Sequence, residues 1–346
     1  MEKVPYTFET AVLKYPEETK GLVSVIIPMY NCERYIKEAL DSVSAQTFEN
    51  WEAILVNDGS TDNTEQICKE YAKKDLRFKY ISKENGGTLL ARKTGLENSK
   101  GEFIANLDGD DIYLPCFLEK MVEKIKEENS DFVCCNFEDS DTRKISAVEN
   151  CNFGGNKLQI YLDIREHEGC FLWNKLIRRS IYADVLFPYI NLTYGEDDIQ
   201  VLQIIYHGKP MGFITECLYR YRNGSEISTT KTNKLFSKHK RLAQRVSFAI
   251  AIYLLTKRFF GPVNAENIFV DTFGKYFAVY FLLGKRNSAR QGLEYAENFV
   301  SDFLKGLEKS NIKNLNYLLL LIACKGFTLP FVIYGKIISA VFRIMR

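Results

Sequence analysis

Histidine is scarce in this 346-residue chain: three residues, His167, His207 and His239, lie scattered along it. The nine cysteines are odd in number and none stands in a CxxC spacing, which argues against a disulfide framework and against a zinc site. No GxGxxG follows the first apolar strand and no GxxxxGK[ST] occurs, so the fingerprints of a dinucleotide fold and of a Walker loop are both missing. A nucleotidyltransferase would also be expected to carry a Gly-rich, Lys/Arg-containing phosphate loop after that strand, and Pro28-Met29-Tyr30-Asn31 has none. Net charge is only +2, which gives no global reason to expect nucleic acid. Long apolar runs are absent too. The richest, Tyr317 to Cys324 and Phe327 to Phe342, are interrupted by Lys325, Pro330 and Lys336 short of the ~20 residues that a bilayer-crossing helix needs. The N-terminus, with Glu2, Pro5, Glu9 and no apolar run before Leu22, does not read as a signal peptide, and a reducing cytoplasm is the simplest home for the thiols.

What is present is the composition of an ordinary globular protein, 46% apolar and 26% charged, long enough for two parts. Residues 1–21 read as a polar leader. Leu22 to Ile27 then reads as a buried strand stopped by Pro28, and Ile36, Leu40 and Val43 at helical spacing predict a helix over 33–46. Glu52 to Val56 is a second strand, after which Asp62 with Glu65 has the capping-box pattern and opens a helix. Lys79 to Ser82, a helix from Thr88 to Asn98 and a strand from Phe103 to Leu107 continue the alternation. Strand and helix alternating in this way predict a mostly parallel sheet flanked by helices, with ligands beyond the carboxyl ends of its strands. Each polar cluster falls at such an end: Tyr30-Asn31, Asp58-Gly59-Ser60, Asn85-Gly86-Gly87 and Asp108-Gly109-Asp110. Folding should gather them in one crevice. A nucleotide would suit it, with Tyr30 beside the base and Asp58 accepting from a base or ribose group.

The last cluster is the most acidic. Phe103-Ile104-Ala105-Asn106-Leu107 delivers Asp108, Asp110 and Asp111, three carboxylates within four positions, with Gly109 free to let backbone approach a ligand. Carboxylates so close repel one another, and a hard divalent cation held by oxygen and shared with phosphates relieves that. Taken in order, Val23 to Asn31, Val56-Asn57-Asp58-Gly59-Ser60-Thr61-Asp62, Glu84-Asn85-Gly86-Gly87 with Ala91-Arg92, and Leu107-Asp108-Gly109-Asp110-Asp111 resemble the successive signatures of family 2 glycosyltransferases. The nearest likeness is to bacterial enzymes that build capsular, cell-wall or lipopolysaccharide glycans. The resemblance implies the GT-A fold, a Rossmann-like sheet, and inverting transfer from a nucleotide-sugar, usually a UDP-sugar, with Mn2+ or Mg2+. By position it implies Pro28, Tyr30, Asn31 and Asp58 around the nucleobase, Asp108 at the ribose or metal, Asp110 at the metal and diphosphate, and Arg92 near the donor phosphates. Lys93 departs from the Asn that the family often has there.

Beyond the donor half (22–112), Pro115 opens a helix with Phe117, Leu118, Met121, Val122 and Ile125 inward, Asp131 to Asn136 reads as a strand, and 138–157 as a loop. Tyr194-Gly195-Glu196-Asp197-Asp198 matches the family's Glu-Asp motif. An inverting transfer needs a base for the acceptor hydroxyl, and Asp197 takes that role with Glu196 orienting the acceptor and Asp198 in reserve. An acidic helix N-terminus is the competing explanation. Trp173 is a candidate platform for a sugar ring, Asp111 a candidate acceptor contact, and Arg222 in Tyr219-Arg220-Tyr221-Arg222 a candidate cation for the leaving diphosphate. The catalytic domain is thus expected over 1–230, with 113–230 its acceptor half. From 231 to 346 helical periods dominate; residues 231–260 hold eight Lys/Arg and no Asp/Glu. That region is expected to lie on the anionic inner face of the cell membrane beside a glycan or lipid-linked acceptor, with helical packing or a homodimer interface as the alternative. A catalytically silent membrane-associated partner is the alternative to the enzyme, and retention of Asp58, Asp108, Asp110, Glu196 and Asp197 together speaks against it.

Overall fold

A computed structural model describes residues 8–9, 15–146, 155–166, 169–188, 195–209, 212–223, 238–261 and 264–265, with the backbone alone for 8–9, 188, 238–247 and 250. The chain divides into two compact units, residues 1–232 and 233–346.

The first unit runs β1 (Phe8–Glu9), β2 (Thr19–Met29), α1 (Ile36–Ser44), β3 (Trp51–Asn57), α2 (Thr64–Lys74), β4 (Phe78–Ser82), α3 (Thr88–Glu97), β5 (Gly101–Asn106), β6 (Ile112–Tyr113), α4 (Phe117–Glu127), β7 (Phe132–Asp139), α5 (Lys157–Glu166), β8 (Lys175–Arg178), β9 (Phe187–Pro188), α6 (Glu196–His207) and β10 (Gly212–Tyr221). Eight strands form one sheet in the order β4-β3-β2-β5-β8-β7-β10-β6. Its first four strands are parallel. β8 enters antiparallel to both β5 and β7, β10 runs parallel to β7, and β6 antiparallel to β10. Every residue of β3 is buried, which is why it reads as an apolar run rather than an alternation. The predicted inner faces of α1 (Ile36, Leu40, Val43) and α4 (Phe117, Leu118, Met121, Val122, Ile125) are buried against it.

Three local readings need correction. Pro28 does not stop β2, which runs on to Met29. Ile26 accepts from Leu107 on the β5 side and Met29 accepts from Asp58 on the β3 side, so Pro28 has the parity that faces β5. β5 pairs only as far as Asn106 opposite Ile26, and a missing N–H costs nothing beyond that point. The capping box at Asp62 and Glu65 does not form. Asp62 accepts the N–H of Thr64 at 3.0 Å and that of Glu33 at 3.0 Å, tying two loops together, while Glu65 pairs outward with Lys69. The leader is not merely polar: β1 pairs with β9, Tyr15 donates to the Tyr182 carbonyl at 3.1 Å, and Arg179 donates to the Pro16 carbonyl at 3.0 Å. Of the expected loop over 138–157, β7 takes the first two residues, Glu138 bridges to Ile145, and 147–154 lie outside the described residues.

In the second unit, α7 (Lys238–Phe260) buries Phe248, Ala249, Ile252 and Leu255. Among the described residues no helix is long and apolar enough to cross a membrane. Of the region 231–346 expected to face the membrane, residues 266–346 lie outside them.

Candidate active site

The loops at the carboxyl ends of β2, β3 and β4 lock into one another. Asn31, left-handed at φ 49°, accepts the Thr61 N–H at 2.7 Å on its side-chain oxygen, and its own N–H donates to Ser60 Oγ at 3.0 Å. Buried Asp58 accepts the N–H groups of Gly86 at 3.0 Å and Gly87 at 2.7 Å and the Lys83 ammonium at 2.6 Å. Gly59 packs so tightly under this loop that a Cβ would sit 3.0 Å from the Asn85 nitrogen. Pro28 is buried at the strand end, and the next residue, Tyr30, presents an aromatic ring 50% exposed. An exposed aromatic beside an anchored carboxylate is a fitting place for a base.

The acidic loop after β5 turns through an Asp111 N–H to Asp108 carbonyl bond of 3.0 Å. A Cβ at Gly109 would press on Cys32 Sγ at 3.1 Å, so the loop packs closely over that thiol. Asp111 does not reach an acceptor. It is 1% exposed, its oxygens accept the Tyr219 hydroxyl and the Arg222 N–H, both at 2.7 Å, and burial followed by Asp110 and Asp108 pushes its pKa well above the usual range. It is a strut under the loop. The Arg222 guanidinium donates to the Asp110 carbonyl at 2.9 Å and to Glu38 at 2.8 Å, above the Tyr35 ring. It therefore clamps the acidic loop.

Arg92 corrects the sequence reading most. It is 2% exposed and its guanidinium bridges Asp108, at 2.9 Å, and Asp197. Burial opposes its charge, yet Asp197, Asp108 and Glu196 outweigh that and hold it protonated. Asp197 sits on the first turn of α6, launched by left-handed Gly195, and its second oxygen accepts the Leu172 N–H at 3.2 Å. Glu196 is raised to about 7 by burial and then by Asp197; Asp108 to about 6 by burial, with Asp197 and Asp110 adding and Arg92 opposing. Asp198 is no reserve base, because it is buried and accepts from the Tyr161 hydroxyl at 2.7 Å and Arg165 at 3.0 Å. Nor is Trp173 an open platform: at 3% exposure it stacks on Tyr219 and Phe171, with ring centroids 4.3 and 4.7 Å away, and meets the edge of Phe137.

Sequence reasoning missed the Arg92–Asp197 pair and the Leu172 N–H, neither of which leaves a local signal. It also passed over Lys175, a charge at the start of a four-residue strand and buried there. The surroundings suit a hard cation. Burial first and the mutual repulsion of neighbouring carboxylates second raise Asp108, Asp111 and Glu196, in a cluster whose one buried guanidinium cannot offset all of its acids. Among the described residues no three His, Cys, Asp or Glu side chains are arranged as a ready-made ligand set. Asp108 and Asp110 could supply the one or two carboxylates that Mg2+ or Mn2+ takes from protein, the remainder of the shell being water and phosphate.

The family model for glycosyl transferase family 2 matches residues 24–186. Glycosyltransferase GlyG of Streptococcus pneumoniae is 30% identical over 217 residues, 59% of this chain and 71% of GlyG. The chain belongs to glycosyl transferase family 2. Another relative, the uncharacterized glycosyltransferase EpsJ of Bacillus subtilis, is 36% identical over 51% of this chain, which spans about half of EpsJ at 52%. Among solved structures, S. aureus TarS 1–349 in complex with UDP-GlcNAc superposes with a TM-score of 0.66 over 91% of each chain at 20% identity. At that identity the likeness establishes the fold, the GT-A arrangement, and the family's strand-end motifs fall where that fold gathers them.

Proposed function

We propose that the protein transfers a sugar from a UDP-sugar to a hydroxyl of a glycan or lipid-linked glycan in the making of a bacterial cell-surface polysaccharide, with inversion at the anomeric carbon. The observation that carries this reading is the Arg92 bridge, which ties Asp108 at the donor strand end to Asp197 on α6. A donor carboxylate and a base that share one guanidinium face one reaction centre. Membership of family 2, and a TarS relative in fold that is known with UDP-GlcNAc, support the donor class.

In this reading Tyr30, Asn31 and Pro28 border the base, and Asp58 holds the loop that closes over it. Asp197, its carboxylate fixed by Arg92 and the Leu172 N–H, takes the proton of the acceptor hydroxyl. The hydroxyl oxygen forms the new bond to the anomeric carbon while the bond to the diphosphate oxygen breaks and UDP leaves with the electron pair. Glu196, poised near neutrality, accepts from or donates to a second acceptor hydroxyl. Asp108 and Asp110 would hold the divalent cation, which supplies charge to offset the departing diphosphate. The basic C-terminal region would keep the enzyme on the inner face of the membrane, where a lipid-linked acceptor lies.

A panel of UDP-, GDP- and dTDP-sugars titrated with and without Mn2+ tests the donor. One UDP-sugar should bind, and Asp110→Ala or a chelator should weaken that binding at least about tenfold, the ~1.4 kcal/mol that one charge-assisted contact readily supplies. If no nucleotide-sugar binds under any condition, the transferase reading fails and a silent partner of an assembly complex takes its place.

A further inference from the structure

Lys175 is 1% exposed, one position past Asn174 at the start of β8, and nothing in the transfer reaction uses it. Its ammonium has three hydrogens and three partners: the carbonyls of Gly169 and Phe171, each at 2.6 Å, and the Asn174 side-chain oxygen at 2.9 Å. All three are neutral oxygens. Burying an ammonium among them is costly, and a methionine would fill the same space without that cost. Burial accordingly lowers the pKa of the amine.

The partners reveal what the charge does. The Phe171 carbonyl and the Leu172 N–H belong to one peptide group. Its oxygen lies on the Lys175 ammonium and its N–H donates to Asp197 Oδ2 at 3.2 Å. A peptide dipole is thus held between a cation at its negative end and a carboxylate at its positive end, the arrangement in which each hydrogen bond strengthens the other. The Lys175 N–H also donates to the Leu172 carbonyl at 3.1 Å, and the Asn174 amide donates to the Cys135 carbonyl at 3.0 Å, so the turn is pinned to β7. The carboxylate has one oxygen fixed by Arg92 and the other by this peptide.

We propose that Lys175 is a positioning residue for Asp197, acting through the 171–172 peptide to fix the carboxylate that accepts the acceptor's proton. This rests on Asp197 being the base, and Asp197→Asn is measured alongside. Lys175→Met should lower kcat about 10- to 100-fold, the scale of a misaligned reacting group, while the UDP-sugar affinity with Mn2+ and the fraction of donor-binding molecules stay within twofold of wild type. A purely structural loss would instead reduce the donor-binding fraction and leave kcat per competent site unchanged. Should Lys175→Met fail to fold, the α-hydroxy acid of leucine placed at 172 replaces the N–H that touches Asp197 by an oxygen and weakens the Phe171 carbonyl as an acceptor for Lys175, which cuts the same relay at both ends, and the same fall in kcat is expected. Wild-type kcat in a folded Lys175→Met or in the ester variant, with Asp197→Asn inactive, overturns the positioning role alone. Full activity of Asp197→Asn overturns the base, and the positioning role with it.

Discussion

Asp197→Asn is expected to bind a UDP-sugar within about twofold of wild type and to turn it over about 10²- to 10⁴-fold more slowly, the range that one positioned general base contributes. The substitution suits the question because it keeps volume and one acceptor oxygen, while the amide nitrogen takes the place of the oxygen that accepts the Leu172 N–H. The amide oxygen can still accept from Arg92, so the guanidinium is not abandoned, and the donor strand ends around Asp58 and Asp110 are untouched. What the amide cannot do is take a proton. Its neighbours supply internal controls. Glu196→Gln removes a group raised to about 7, and since in the proposed reaction it orients rather than accepts, its effect should fall mainly on the acceptor KM. Asp198→Asn should act on stability, because Asp198 is committed to Tyr161 and Arg165 and has no route to a substrate. Transfer rates and donor affinities of the three variants separate the roles. If Asp197→Asn keeps the wild-type rate and Glu196→Gln loses it, the two roles exchange.

The donor half was readable because its information is local. Each strand is an apolar run, each carries its polar cluster at its end, and parallel topology alone brings those ends together. The acceptor side was less readable because its decisive contacts join distant segments. Arg92 and Asp197 are 105 residues apart, Asp111 and Tyr219 108 apart, and no spacing rule links them. Trp173 shows the same limit from the other side: an aromatic in a functional stretch looks like a sugar platform until the sheet places Phe171 and Tyr219 on its faces. Pro28 was misjudged for a subtler reason. A proline ends a strand only where its missing N–H faces a paired neighbour, and which side it faces depends on where β5 stops.

Replacing Arg92 by methionine should destabilise the first unit by about 3–5 kcal/mol at pH 8, since removing one partner of a buried ionic group leaves uncompensated charge. For a unit of this size that is a fall in Tm of roughly 6–20 °C. The loss should depend on pH, and its sign follows from the acids around it. Asp108 and Glu196 titrate in the folded protein at about 6 and about 7, above their ordinary 3.8 and 4.5. The folded state therefore binds these protons more tightly than the unfolded one. The stability they contribute is fully present below about pH 4 and is lost as pH rises through 6 and 7. Arg92 limits that loss by favouring the carboxylate form of Asp108. Without it both acids rise further, the loss continues to higher pH, and the Tm gap between variant and wild type should widen steadily from pH 5 to pH 8. Melting curves in chelator across that range decide the matter. A gap of equal size at both ends would mean that Arg92 stabilises the fold through packing of its stem, and that the two halves of the site are not coupled through its charge.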